Sequence, residues 1–131
     1  MAEVEGEIVQ EELDAERAAR RRLALAQIRQ YPDAALRLAA RPVETYDDEL
    51  RELVERMKAL MHDAVGVGLA GTQVGVLKRL FVCTIEEGRD VAIVNPTILE
   101  RSDETNVSDE GCLSLQGVLV PVERNVAVTI A

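Results

Sequence analysis

Between Leu50 and Met61 the residues Leu50, Leu53, Val54, Met57, Leu60 and Met61 recur at spacings of three and four. At about 100° per residue they fall on one stripe, which requires a helix with one buried face. The stretch GVGLAGTQVG, Gly66 to Gly75, follows, and beyond it the pattern changes. LKRLFVCTI (77–85) and VAIVNPTIL (91–99) are rich in β-branched and aliphatic residues, and EEGRD between them suits a hairpin with a Gly-containing loop. Arg101 to Asp109 reads as a surface loop. Three short apolar runs end the chain: CLSL (112–115), VLVPV (118–122) and VAVTI (126–130), separated by Gln116-Gly117 and by Glu123-Arg124-Asn125. The fold class expected is α+β, N-terminal helices followed by antiparallel β-strands.

Upstream of the helix, Tyr31-Pro32-Asp33 predicts a turn, with Asp33 capping a short helix through Arg37. Thr45-x-x-Asp48 resembles a capping box for a helix over 46–62. Residues 1–16 hold Glu3, Glu5, Glu7, Glu11, Glu12, Asp14 and Glu16 without a basic group, and Arg17, Arg20, Arg21 and Arg22 come next. Residues 1–24 therefore read as a charged extension, a disordered tail or a loose solvated helix. The domain is expected over 25–131.

The formal net charge of −9 argues against nucleic-acid binding through a basic surface and against an anionic membrane. Aromatics are only 2%, so platforms for stacking bases or sugars are nearly absent. The two cysteines, Cys83 and Cys112, make no disulfide framework, and a reduced cytoplasmic setting is the expected location. Cys83, in a strand pattern, is expected as a buried core residue.

Gly66, Gly68 and Gly71 have the G-x-G-x-x-G spacing of a dinucleotide loop, but the context is reversed. A helix enters this loop and a strand leaves it, so no helix N-terminus awaits a pyrophosphate. The glycines are expected to let backbone approach something closely, or to take positive φ at the helix end. Gln73, which carries both a donor and an acceptor, is the candidate polar group of the loop. In isolation, Cys112 within DEGCLSL reads as a buried filler.

Taken together, GVGLAGTQVGV and, about forty residues later, EGCLSL resemble the first two motifs of the peptide deformylases. IRQYPDAALRLAARPV, VNPTIL and GVLVPVERNVAVTIA resemble the flanking segments of that family, so the likeness runs from about Ala26 to Ala131. It implies metal-dependent hydrolysis of the formyl group from N-formylmethionyl nascent peptides, with the ribosome as a further partner. It also implies a divalent metal, Fe(II) with Ni, Co or Zn as substitutes, held by one Cys and two His. By motif match Cys112 is the Cys ligand. Gln73 and the backbone N–H of Leu113 correspond to the oxyanion donors, Gly68 to a residue that pairs with the substrate backbone, and Val67 and Gly111 to substrate-binding neighbours.

The family's third motif, His-Glu-x-x-His on a C-terminal helix, has no counterpart in these 131 residues. The expectation is thus a deformylase-like fold lacking that helix, a truncated chain with little or no activity of its own. The alternative is a non-catalytic module that binds peptides or a partner. His62, the one histidine, lies roughly 120° from the apolar stripe and matches no ligand position of the family. It reads as a solvated residue near a helix C-terminus.

Overall fold

A computed structural model describes residues 2–131, and side chains from residue 14 onward. Helix α1 (Ala2–Ala26) leads to a 3-10 turn (Ala34–Arg37) and then to helix α2 (Asp48–Asp63). Strand β1 (Gly68–Ala70) runs into a second 3-10 turn (Gly71–Val74), followed by β2 (Leu80–Glu86), β3 (Arg89–Val94) and β4 (Ile98–Arg101). Strands β5 (Thr105–Cys112), β6 (Leu115–Asn125) and β7 (Val128–Ile130) complete the order. The described residues form three antiparallel sheets: β1-β2-β3, β4-β7 and β5-β6. This is the expected α+β arrangement.

The apolar stripe of α2 does what its period predicts. Leu53, Met57, Leu60 and Met61 are buried, with Met57 and Met61 at 0% exposure. They pack with Leu69 of β1 and with Leu80 and Val82 of β2, and Ala24, Ile28 and Val43 close the cluster. The side chain of Asp47, not Thr45, caps α2 by accepting the Leu50 N–H at 3.1 Å. Asp47 sits in extended backbone three residues before that donor, the spacing an N-cap side chain needs, whereas Thr45 lies two residues further out. Asp33 caps the first 3-10 turn through the Ala35 N–H, as the sequence predicts.

Several boundaries differ from the sequence reading. Helix α1 continues through the 24/25 division to Ala26, because the Ala-, Arg- and Leu-rich run after Asp14 has high helix propensity and Ala24 is drawn into the core. At the end of α2 it is Val65, not a glycine, that takes positive φ (60°), and the Gly66 N–H then reaches the Met61 carbonyl. The hairpin between β2 and β3 has Glu86 opposite Arg89, so its turn is Glu87-Gly88, with Gly88 at φ 76° supplying the left-handed conformation. The supposed loop 101–109 is mostly strand β5. Its side chains are nearly all exposed, so no apolar alternation marks it, and pairing with β6 satisfies its backbone instead. Strand β6 likewise runs unbroken through Gln116-Gly117 to Asn125.

Burial is one-sided. Strands β4 and β7 are wholly exposed, and β5 and β6 nearly so. Leu113, at the tip of the β5–β6 hairpin, is the side chain from this half that packs against the core. We therefore expect Met57→Ala to lower the unfolding free energy by about 2–5 kcal/mol in urea denaturation. Leu99→Ala, at 63% exposure on β4, is expected to change it by less than about 0.5 kcal/mol.

Candidate active site

Strand β1 lies at the edge of its sheet, and its register decides which backbone groups face outward. The Thr84 N–H donates to the Val67 carbonyl at 2.9 Å, while Gly68 pairs opposite Cys83 and Leu69 opposite Val82. In an antiparallel ladder the hydrogen-bonded positions alternate, so Val67 and Leu69 face β2. Gly68 and Ala70 consequently turn their N–H and C=O toward the free edge. The Ala70 N–H is taken there by the side-chain oxygen of Gln73 at 2.9 Å.

That bond fixes which way the Gln73 amide points. With Oε1 accepting from Ala70, Nε2 donates to Ser114 Oγ at 3.0 Å and to Cys112 Sγ at 3.6 Å. Cys112 and Leu115 close the β5–β6 hairpin, leaving Leu113 and Ser114 as its turn. The Leu113 carbonyl accepts from Gln30 Nε2 (2.8 Å) and Gln116 Nε2 (2.6 Å), and the Ser114 carbonyl accepts from the Tyr31 N–H (2.8 Å). The Arg29 N–H donates to the Gln73 carbonyl at 2.7 Å, so residues 29–31 touch both turns.

Val67, Gly68, Gln73, Gly111, Cys112 and Leu113, separated in sequence by up to forty-six positions, line one cleft of about 610 Å³. Its two walls approach closely: a Cβ on Gly66 would lie 2.6 Å from Leu113 Cδ1, so a larger residue there would make the leucine side chain shift. Cys112 is exposed rather than a buried filler, and Cys83, half-buried in β2, is likewise a free thiol. The sequence did not indicate Ser114, Gln30 or Arg21. Ser114 is buried beneath Gln73, Gln30 reaches Leu113 across 83 positions, and Arg21 enters the cleft to donate to Gln116 Oε1 at 2.9 Å. None of these relations leaves a local spacing signal.

Two charged pairs lie nearby. Arg124 binds both oxygens of Glu110, at 2.9 and 2.8 Å, and this pairing holds the Glu110 carboxyl below its usual value while raising Arg124. His62 is not simply solvated: its Nε2 bonds Asp90, whose other oxygen accepts from Thr84 Oγ1 at 2.7 Å. The Thr84 hydroxyl and then His62 keep the Asp90 carboxyl below its ordinary range. His62 lines a neighbouring hollow with Arg17, Arg20, Asp63 and Val65 rather than the cleft. Among the described residues no three His, Cys, Asp or Glu side chains come together as a metal site. Cys112 supplies one soft donor, and these residues alone do not fit a complete metal centre.

Residues 25–131 match the family model for polypeptide deformylase. The chain is 44% identical over 103 residues to a peptide deformylase of Thermotoga sp. (strain RQ2), an alignment covering 79% of this chain and 62% of that relative. It is 48% identical over 102 residues to the peptide deformylase of Clostridium botulinum (strain Alaska E43 / Type E3), covering 78% of this chain and 68% of that one. The crystal structure of peptide deformylase from Thermotoga maritima superposes with a TM-score of 0.76 at 42% identity, covering 79% of this chain and 69% of the other. A Met-Ala-Ser-bound class I type b peptide deformylase from Acinetobacter baumannii gives 0.73 at 32% identity, covering 79% and 72%. The chain thus spans 62% of the length of the Thermotoga sp. relative.

The Glu110–Arg124 pair makes a pH prediction. Because the folded-state carboxyl is depressed, its stabilisation is present above the ordinary carboxylate value of 4.5 and is lost as pH falls through the folded value. The difference in melting temperature between the native chain and Glu110→Gln should therefore be largest near neutrality and shrink steadily below pH 4.5. A difference that stays constant on acidification would show that it does not arise from the ionised Glu110–Arg124 pair.

Proposed function

We propose a function from the premise that this chain belongs to the polypeptide deformylase family, whose members are metal-dependent hydrolases. The reading is that its cleft binds the formylated end of N-formylmethionyl peptides and takes part in removing the formyl group as formate. The observation that carries it is the orientation of Gln73, locked by Ala70 so that its amide N–H groups face Ser114 and Cys112.

An extended peptide can lie along the free edge of β1 and pair with the outward N–H and C=O of Gly68. Val67 and Gly111 line the space beside it. Cys112 Sγ, 3.6 Å from Gln73 Nε2, is a weak acceptor, and a formyl oxygen is the better one. The Leu113 N–H is the second donor in this reading. As water adds to the formyl carbon, negative charge grows on that oxygen, and each fixed donor stabilises it by about 3 kcal/mol. The C–N bond then breaks, leaving formate and the free amine of methionine. Cys112 would provide one thiolate ligand to the divalent ion of the reading, Fe(II) with Ni, Co or Zn as substitutes, which supplies Lewis acidity when bound. The substrates would be nascent peptides met at the ribosome in the cytoplasm. Among the described residues no helix is long and apolar enough to cross a membrane.

The single donor at Cys112 favours a second reading for the isolated 131 residues, a module that binds formylated peptide ends without turning them over. Metal content and turnover separate the two. Supplied anaerobically with Fe(II) or with Ni(II), the purified chain should shift the Gly68 and Gln73 amides on binding formyl-Met-Ala-Ser, yet hold little metal and release little formate. Stoichiometric metal and turnover lost in Cys112→Ala would demonstrate catalysis and reject the binding-module reading. Amides at Gly68 and Gln73 that ignore the peptide would overturn both.

A further inference from the structure

Arg21 lies outside the segment that matches the family model, residues 25–131, yet its side chain lines the cleft. Helix α1 brings it there, and Nη2 is held by Gln116 Oε1 at 2.9 Å. Gln116 in turn donates to the Leu113 carbonyl at 2.6 Å, so Arg21 is tied to the turn that carries Leu113. Among the described residues lining the cleft, Arg21 is the one with a permanent charge; the remainder are glycines, aliphatic side chains, two glutamines and Cys112. Val65 is shared with the adjacent hollow, lined also by Arg17, Arg20, His62 and Asp63, where Arg17 pairs with Asp14 and His62 with Asp90.

We propose that Arg21 is a specificity-determining residue, which biases the cleft toward formylated peptides carrying a carboxylate close to the formyl end. This rests on the peptide-binding reading above. The chemistry is that of the guanidinium: a planar fork with five N–H donors, of which Gln116 accepts one, matched to the two oxygens of a carboxylate. In a chain of net charge −9 an acidic peptide meets general repulsion, so a cation placed in the cleft itself is what can reverse the preference locally. Arg21 is exposed, so its effect is modest and screened by salt.

The test titrates the 131-residue chain with formyl-Met-Ala-Glu and with formyl-Met-Ala-Lys, following the Gly68 and Gln73 amides by NMR at low and at high salt. The native chain is expected to bind the glutamate peptide about three-fold more tightly at low salt, the ratio falling as salt is added. Arg21→Gln should bring the ratio close to one, and Arg21→Lys should recover part of it. A native ratio near one, or a ratio that survives in Arg21→Gln, overturns the assignment of Arg21 and leaves peptide binding standing. If neither peptide moves those amides, the cleft does not bind formylated peptides and this inference falls with that reading.

Discussion

The backbone N–H of Arg29 reaches the carbonyl of Gln73, the Tyr31 N–H reaches the carbonyl of Ser114, and the Gln30 side chain between them reaches that of Leu113. Among the described residues no strand pairing joins the β1-β2-β3 sheet to the β5-β6 hairpin. The distance between Gln73 and Cys112 therefore depends on this short connector, on the Gln73 amide itself and on Leu113 packing against the core. Each such bond contributes only about 1 kcal/mol net, so their importance lies in direction and register more than in total stability. The connector can do this because α1 ends just before it with Ala24 and Ile28 anchored in the core.

The same division appears in the packing. One half of the molecule has a compact aliphatic core between α2, β1 and β2, and the other consists of paired strands with most side chains in solvent. Residues of the cleft come from both halves: Gln73 follows the edge strand of the first, and Cys112 sits at the hairpin end of the second. Helix α1 adds a third contribution through Arg21. The cleft is thus assembled from three parts of the chain, joined by Ala24 and Leu113 at the core and by the polar contacts of residues 29–31 and Gln73.

Much of the first half was legible in the sequence because burial leaves a periodic trace. Leu53, Met57, Leu60 and Met61 repeat every three or four residues, and the β2–β3 hairpin carries aliphatic runs around a glycine turn. The second half was less legible for the complementary reason. Thr105 to Cys112 forms a strand through its backbone while its polar side chains stay in water, so no alternation records it. Gln73 and Cys112 stood out through the motifs around them, and the structure brings them within 3.6 Å. Ser114, Gln30 and Arg21 could not have been found this way, since each acts through a contact made across scores of residues.

The lock on Gln73 has a consequence for recognition. An unconstrained glutamine can flip its amide and offer either an acceptor or a donor to a visitor. With its oxygen committed to the Ala70 N–H, this one cannot reverse without leaving a backbone donor unsatisfied. Its neighbour Ser114 is buried and receives one of the two Nε2 hydrogens, so what remains for a guest is a single N–H of fixed polarity. In the binding reading proposed above, this part of the cleft would sort molecules by the sign of their hydrogen-bonding group before it sorted them by size. A carbonyl oxygen finds a partner there, and an ammonium of the same volume finds only another donor.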